Sequence, residues 1–347
     1  MSSNPSVVIS ASRRTDIPAF YMKWFMEHIE KGFFETINPY NGVKKVIDAS
    51  CANIHTIVFW SKNFRPFLES GSGEKLKKMG YNLFFNFTIN SQSKLLEPNI
   101  PPLEERFAQL EELCCKFKPE TINWRFDPIC FYRPDNSGNN CYQLNNKTNN
   151  FNQKNNSSNG FFQKDNDINN ENNENNENIE NIENNLIDFQ SIAEKARECG
   201  ITRCVTSFND DYAKIRKRIR YLKSKGKNPP DFIYPDNAKK VEIILRMEKL
   251  LKAKQISLFT CCENEVFSLL PHDTSVAENA CIPGRLLKEI FGGHPVTKRD
   301  YGQRSKKGCR CTKSIDVGSY DLHPCFHNCL FCYANPAIDG KYSTSST

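Results

Sequence analysis

The segment from Val7 to Gly32, VVISASRRTDIPAFYMKWFMEHIEKG, contains the structural unit that repeats along this chain. Its first residues, Val7-Val8-Ile9, form a short β-branched run that is typical of a buried strand. A polar turn follows, and then apolar residues recur with a period near 3.6 from Ala19 to Lys31, which predicts a helix that ends at Gly32. The segment therefore predicts a strand, a polar loop and a helix in that order.

The same order recurs along the rest of the chain and predicts an α/β protein. Further strands are predicted near Thr56–Trp60, Leu83–Thr88, Thr121–Phe126, Thr202–Phe208 and Ile256–Thr260, with helices that include Pro102–Phe117 and Val241–Lys254. Alternation of this kind builds a parallel sheet with right-handed crossovers. Six strands suit an open doubly wound sheet or a partial (β/α)6 TIM-like barrel, and we favour the partial barrel.

One segment interrupts this pattern. Residues 136–186 contain 22 asparagines in 51 positions, a composition that cannot bury enough apolar surface to offset its ordering entropy. We interpret it as a disordered insert in a surface loop. Without its 3 basic and 7 acidic residues, the remainder has 44 basic and 33 acidic residues and a net charge of +11.

The predicted domains are a barrel at 7–295, which contains the insert, and a cysteine-rich loop at 296–338 that packs on the barrel mouth.

The composition also limits the classes of protein to consider. Apolar runs are of strand length, well short of the roughly 20 residues of a membrane helix, and no secretory signal is predicted. We therefore expect a cytoplasmic protein without a membrane partner. In such a compartment the 15 cysteines are not expected to form a disulfide framework, so metal binding is the natural alternative.

Polar residues follow every predicted strand. In parallel α/β proteins these positions meet at one end of the sheet, where active sites lie. Buried charges at such positions need partners or a ligand, and together these would suit an anionic substrate. The candidate catalytic residues are Arg13, Arg14, Asp16, Lys62, Arg125, Asp127 and Glu263, and Asn63 is a candidate for cofactor binding.

The C-terminal region holds five cysteines within 24 residues. Cys325, Cys329 and Cys332 form a C-x-x-x-C-x-x-C loop, and three thiolates can hold three irons of a [4Fe-4S] cluster while the fourth iron stays open to a ligand. We predict that this loop binds such a cluster.

A second metal site is predicted from the remaining cysteines. Cys262, Cys281, Cys309 and Cys311 supply four thiolates, enough to enclose a second iron–sulfur cluster or a zinc ion. Cys261 could replace Cys262. A different zinc site would combine Cys309 and Cys311 with Cys329 and Cys332, with His323 and His327 nearby.

The chain resembles the family known as domain of unknown function 1848 (DUF1848), whose C-terminal cysteines are similar to those of radical S-adenosylmethionine (SAM) proteins. The resemblance rests on residues 9–20, 38–40, 58–63, 124–129 and the closing cysteines with Tyr333-Ala334-Asn335. It implies a radical-SAM-like partial barrel and a cluster. Phe331 corresponds to the aromatic position that packs beside the adenine of SAM in radical SAM enzymes.

Three functional hypotheses follow. The first is a radical-SAM-like enzyme that uses the cluster, SAM and an electron donor on an unknown anionic small molecule. The second is a nucleic-acid-binding or structural protein with a cysteine-rich zinc site, suggested by eight basic residues between Lys214 and Lys227, although these also fit the solvated face of a helix. The third is a redox or sensing iron–sulfur protein that does not use SAM.

Overall fold

The structure is a computed structural model that describes residues 6–37, 42–134, 182–302 and 307–334. Its main feature is an eight-stranded sheet in which every pair of neighbouring strands is parallel. The strands are β1 (Val7–Ala11), β4 (Ile54–Ser61), β5 (Asn82–Thr88), β6 (Ile122–Ile129), β9 (Arg203–Phe208), β11 (Ser257–Thr260), β12 (Ala277–Glu278) and β13 (Ile315–Asp316).

The strand order is β12-β11-β9-β6-β5-β4-β1-β13. From β1 to β12, neighbours in the sheet follow the order of the chain, and β13 then returns to lie beside β1. The α/β class and all six predicted strands are confirmed, but the sheet contains two further strands. Both β12 and β13 are only two residues long, too short to give a periodic pattern in the sequence.

Helices connect the strands. They are α1 (Ile17–Phe20), α2 (Met22–Lys31), α3 (Arg65–Glu69), α4 (Ser72–Lys78), α5 (Leu103–Phe117), α6 (Phe189–Glu198), α7 (Ala213–Ser224), α8 (Asn237–Ala253), α9 (Asn264–Ser268) and α10 (Gly284–Phe291). A short 3-10 turn, Pro119–Thr121, precedes β6.

The helix predicted over Ala19–Lys31 is in fact two helices. Asp16 caps the N-terminus of α1 by accepting a hydrogen bond from the Ala19 amide, and α1 ends at Tyr21 after one turn. The second helix ends at Gly32, as predicted, because this glycine adopts a left-handed conformation with φ of 82°.

Two small antiparallel sheets lie outside the main sheet. The first pairs β2 (Phe33–Ile37) with β3 (Lys44–Asp48), and the second has the order β10-β7-β8, formed by Asp231–Ile233, Phe131–Arg133 and Glu183–Asn184.

The second small sheet shows that the C-terminal boundary predicted for the insert, residue 186, is wrong. Most of the segment 136–186 lies outside the described residues, but its last five residues are structured. The Asn185 side chain accepts a hydrogen bond from the Cys130 amide at 2.8 Å and donates one to the Pro128 carbonyl at 3.0 Å, and Leu186 is buried in the core. The insert therefore ends before Ile182, because residues 183–186 supply a strand and a core side chain.

Both faces of the main sheet are buried. On one face, aromatic residues such as Phe59, Phe85 and Trp124 pack against the helices. On the other face, Val58, Phe84 and neighbouring small residues pack against α10 and a group of cysteines. Burial on both faces explains why the strands are almost continuously apolar. In the described part of the chain, no helix is long and apolar enough to cross a membrane.

Candidate functional site

A cavity of about 220 Å³ lies at the carboxyl ends of the strands, where the polar loops were predicted to meet. Five of the seven candidate catalytic residues line it, and so do eight cysteines. The five are Arg13, Asp16, Lys62, Arg125 and Asp127. The eight cysteines are Cys261, Cys262, Cys281, Cys309, Cys311, Cys325, Cys329 and Cys332.

Arg125 connects this polar ring to the cysteines. It is buried in the middle of β6, where its Nη1 donates a hydrogen bond to the sulfur of Cys281 at 2.9 Å and its Nη2 pairs with the carboxylate of Asp127. Burial alone would lower the pKa of Arg125, but Asp127 and Cys281 more than reverse this and hold it well above its ordinary value. The guanidinium is therefore a fixed cation at the cavity wall.

Arg13 is a second cation on the same side of the cavity. Its Nε lies 3.6 Å from Oδ2 of Asp316, and its Nη2 donates a hydrogen bond to Ser314 at 3.0 Å. Burial opposes the charge, yet Asp316 and the nearby thiols of Cys311 and Cys281 raise the pKa of Arg13. Asp316 also accepts hydrogen bonds from the Arg13 amide and the Ser10 hydroxyl, so strand β13 fixes the loop after β1.

Lys62 is the third cation, and it lies on the side of the cysteine loop. Its ammonium forms an ion pair with Oε1 of buried Glu97 at 2.5 Å and lies 5.2 Å from the centre of the Phe331 ring. Burial disfavours the charge of this lysine, but Glu97 and Cys329 raise its pKa. The thiol of Cys329 lies 3.8 Å from the same Glu97 oxygen. Lys62 therefore provides positive charge directly beside one of the predicted cluster ligands.

Asp16 binds the ends of two strands and the cysteine loop together. Its Oδ1 caps α1, while its Oδ2 accepts hydrogen bonds from the Ser61 hydroxyl at 2.9 Å, the Lys62 amide at 3.0 Å and Nε2 of His327 at 2.8 Å. Both Asp16 and His327 are buried. Because all these contacts are within the protein, the carboxylate acts as a positioning group for the loop.

The three-cysteine loop closes over this end of the sheet. The thiols of Cys325, Cys329 and Cys332 all line the cavity, and burial raises the pKa of each of them. Lys62 acts in the opposite direction on all three thiols, and Arg218 does so on Cys332. Burial therefore opposes ionisation of the three thiols, and the two cations beside the loop favour it.

Arg218 of α7 holds the backbone of the loop. Its guanidinium donates hydrogen bonds to the carbonyl oxygens of Cys329 at 3.2 Å, Leu330 at 2.6 Å and Cys332 at 2.7 Å. The side chain is 4% exposed, unlike its neighbours in this basic helix. One of the eight basic residues that suggested a nucleic-acid surface is thus an internal support for the cysteine loop.

Other segments fix the loop from outside. Tyr21 donates a hydrogen bond to the Pro324 carbonyl at 2.6 Å, and Asn99 donates one to the Phe326 carbonyl at 2.7 Å. The turn between Cys325 and Cys329 passes through Asn328, which has a left-handed backbone with φ of 56°. Asparagine tolerates this conformation better than most residues that have a side chain.

The second predicted group of thiols is also brought together, with Cys261 as a fifth member. The sulfur of Cys261 lies 3.3 Å from that of Cys281 and 3.8 Å from that of Cys262. Cys309 forms hydrogen bonds with Cys262 and Cys311, and Cys311 also bonds to Cys281. Each thiol therefore contacts two others, and the five form a closed ring, hereafter the five-thiol ring.

The pKa values of the thiols in this ring are shifted in opposite directions. Hydrogen bonds from Cys262 and Cys311 lower the pKa of Cys309, whereas hydrogen bonding within the ring and burial raise the pKa of Cys261 and of Cys311. One thiolate can therefore be stabilised by its neighbours, but several thiolates would require a cation. Across the described ranges, no three His, Cys, Asp or Glu side chains are arranged to hold a metal ion as they stand.

Three predicted site residues do not reach the cavity lining. Arg14 donates a hydrogen bond to the Gly318 carbonyl at 2.9 Å, and Asn63 accepts one from the Gln109 amide group at 2.9 Å. Glu263 accepts a hydrogen bond from the Phe208 amide at 2.8 Å, and burial raises its pKa to about 7. These three side chains form hydrogen bonds within the protein, outside the cavity lining.

The alternative zinc site is not assembled as the sequence suggested. Cys309 and Cys311 bond to thiols of the five-thiol ring, while His323 packs on Trp24 with ring centres 4.2 Å apart. Burial and the nearby His28 lower the pKa of His323 to about 4. His327 does line the cavity, but its Nε2 is held by Asp16.

Only weak signs of the supporting residues are present in the sequence. Arg218 lies three residues after Ile215 and four before Leu222, on the apolar face of the helix, which indicates burial despite its charge. Asp316 and Glu97 had no such sign, because their partners are more than 30 residues away.

The fold and the cavity together define an α/β protein with a parallel sheet whose carboxyl ends carry a thiol-rich, cation-lined site. The model of the family described as "Domain of unknown function (DUF1848)" matches residues 8–164 and 175–334 of the chain. The chain therefore belongs to this family. No curated protein and no solved structure matches the chain.

Proposed function

We propose that this protein is an iron–sulfur enzyme of the radical-SAM-like type, with a [4Fe-4S] cluster at Cys325, Cys329 and Cys332 and an anionic ligand at Arg13, Lys62 and Arg125. One observation carries the proposal: the three-cysteine loop and the polar strand ends line the same cavity. Arg13, Lys62 and Arg125 line the same cavity as the three thiols that would hold the cluster. The arrangement therefore supports one combined site for cofactor and substrate.

The residues present fit such a cluster. Three thiols on one short loop, all of them lining the cavity, are the donor set for three irons. When bound, the cluster would supply one electron for the reductive cleavage of SAM.

The chain's own residues would bind and orient the ligand. Arg13 and Arg125 are fixed by Asp316 and Asp127, so their guanidinium groups can attract a carboxylate or phosphate without first losing rotamer freedom. Their surroundings are largely buried, which strengthens the attraction relative to open solvent. Asp16 and Arg218 would hold the cysteine loop at a constant position relative to these cations.

The strand order supports the partial-barrel interpretation. A single winding, in which each new parallel strand is added beside the previous one, is what a (β/α) barrel requires, whereas a doubly wound sheet reverses direction at its middle. The return of β13 to the side of β1 adds a strand at the other edge. We infer a barrel-like sheet with its mouth at the cavity.

The test begins with protein reconstituted with iron and sulfide in the absence of oxygen. We expect a brown protein with about four irons for the three-cysteine site, lost on replacement of Cys325, Cys329 and Cys332 by Ala. The reduced protein is then mixed with SAM, and 5′-deoxyadenosine is measured. Stoichiometric zinc without iron would contradict the cluster, and a reduced cluster that yields no 5′-deoxyadenosine would favour a SAM-independent redox or sensing role.

A pair of variants separates ligand binding from cluster binding. Arg125→Met removes the buried charge but retains bulk, so we expect iron at the three-cysteine site to remain while SAM cleavage falls at least tenfold. Arg65→Met is the matched control, because Arg65 pairs with Glu112 on the helical layer and does not line the cavity. Equal loss of activity in both variants would remove the role assigned to Arg125.

A further inference from the structure

The five-thiol ring is separate from the three-cysteine loop and is not used by the proposed chemistry. Its members come from three places in the chain: Cys261 and Cys262 follow β11, Cys281 follows β12, and Cys309 and Cys311 precede β13. In the sheet order, β12 and β13 are the two edge strands. The ring therefore joins residues from the two opposite edges of the parallel sheet.

Protein contacts next to the ring connect the same two edges. The Thr312 amide and hydroxyl both donate hydrogen bonds to the Ile282 carbonyl at 3.1 Å, and Arg310 forms an ion pair with Glu278 of β12. No strand ladder joins β12 to β13 in the part of the chain that the structure describes. These contacts and the thiols join the two edges at this point.

The spacing of the sulfurs distinguishes two kinds of metal site. Four sulfurs that bind one tetrahedral ion at about 2.3 Å lie ~3.8 Å apart, because they share that ion. In an iron–sulfur cubane each thiolate binds a different iron, so the thiolate sulfurs are not in contact. The sulfur of Cys261 lies 3.3 Å from that of Cys281 and 3.8 Å from that of Cys262, which are contact distances of the first kind.

The backbone conformation of Cys262 places its thiol on the same side as that of Cys261. Cys261 and Cys262 directly follow β11, and a continued strand would point them to opposite faces, yet both belong to the ring. Cys262 has a left-handed backbone with φ of 64°, a strained conformation for a residue with a side chain, and this reverses the alternation. Such strain is retained where the surrounding structure requires it, which is common at functional sites.

We infer that four sulfurs of the five-thiol ring, with Cys281 among them, bind a single tetrahedral divalent metal ion, zinc being the best fit, which fastens the two edges of the sheet together. Thiolate sulfur is a preferred ligand of zinc. One divalent ion replaces four thiol protons, which pass to solvent, and leaves a net charge of −2. The sulfurs of Cys261 and Cys281 must move apart by about half an ångström to reach the tetrahedral spacing, which those of Cys261 and Cys262 already have.

Two arginine side chains beside the ring would compensate that negative charge. Arg125 donates a hydrogen bond to the Cys281 sulfur at 2.9 Å, the kind of outer contact that supports a thiolate ligand. Arg13 is also close enough to interact with the thiols of Cys281 and Cys311. The buried guanidinium of Arg125 and the partly buried one of Arg13 would offset the cost of burying a thiolate centre of charge −2.

The experiment uses the full chain with Cys325, Cys329 and Cys332 replaced by Ala, so that failure of the iron–sulfur proposal has no effect on the result. This variant is titrated with Co²⁺ without oxygen. We expect one Co²⁺ per chain with the intense visible absorption of tetrahedral cobalt–thiolate, and its displacement by Zn²⁺. Further replacement of Cys309 and Cys311 by Ala should abolish the absorption, whereas replacement of Cys51 and Cys115, which are exposed, should not.

A second measurement keeps the inference testable if the variant lacking Cys309 and Cys311 does not fold. X-ray absorption of the Zn²⁺-loaded triple variant should show about four sulfurs at about 2.3 Å and no metal–metal distance. Absence of bound metal would overturn the inference, as would Co²⁺ absorption that survives the loss of Cys309 and Cys311. A metal–metal distance after treatment with iron and sulfide would instead indicate a cluster and also overturn it.

Discussion

Asp16 and His327 are joined by a hydrogen bond of 2.8 Å between Oδ2 of the carboxylate and Nε2 of the imidazole, although 311 residues separate them in the chain. The same oxygen accepts hydrogen bonds from Ser61 and the Lys62 amide. One buried carboxylate thus sets the position of the cysteine loop relative to strands β1 and β4. This relationship explains how a loop near the end of the chain becomes part of the mouth of the sheet.

Replacement of Asp16 by Asn should weaken this junction. Asn can still cap α1 with its side-chain oxygen, but its NH₂ group would then face three donors, so we expect the free energy of unfolding to fall by about 3 kcal/mol. Urea denaturation measures the change. Asp236→Asn is the matched control, since Asp236 caps α8 at an exposed position and should cost no more than about 0.5 kcal/mol. Equal effects in the two variants would contradict the role of the Asp16–His327 bond.

Replacement of Arg218 by Ala should release the cysteine loop. Three carbonyl oxygens would lose a charged donor, so we expect a loss of about 3 kcal/mol in stability and lower iron retention after reconstitution. Arg216→Ala is the control, because Arg216 is half exposed and pairs with Asp211 at the surface. It should change stability by less than about 1 kcal/mol. Normal iron content in Arg218→Ala would show that the loop does not depend on this support.

The backbone of Asn328 provides a test of loop geometry. Asn328→Gly should be tolerated, because glycine adopts a positive φ readily, whereas Asn328→Val should cost at least about 1 kcal/mol and reduce iron content. Gln255→Val is the control for backbone strain, since Gln255 has the same φ of 56° at the end of α8 and lies outside the cavity lining. That variant should lose stability but not iron.

The insert can be tested with two deletions. Strands β7 and β8 are antiparallel neighbours, so a short Gly/Ser linker can join their ends, and we expect removal of 136–181 to leave folding and metal content unchanged. Removal of 136–186 should destabilise the protein by about 3 kcal/mol or more, because it also deletes the Asn185 hydrogen bonds and the buried Leu186. Thermal unfolding compares the two. Equal stability of both deletions would contradict the corrected boundary.

Much of the architecture was accessible from local patterns. The six long strands, the helix end at Gly32 and the approach of polar residues to one mouth follow from hydrophobic periodicity and from the rule that parallel strands place their carboxyl ends together. Arg13, Lys62 and Arg125 were found in this way, and so were the three cysteines of the C-terminal loop. The supporting residues Asp316 and Glu97 were not found, since they act through partners that no local pattern indicates.

The sequence by itself determined the type of secondary structure and the kinds of side chain at the strand ends, because both depend on neighbours within a few residues. Only the tertiary structure decided which of those side chains share a space. It placed Arg14, Asn63 and Glu263 behind the cavity and added Cys261 to the ring. It also turned Arg218 inward to the cysteine loop. The physical reason is that burial, ion pairing and sulfur contact depend on segments as much as 311 residues apart, which only the folded sheet brings within a few ångströms of one another.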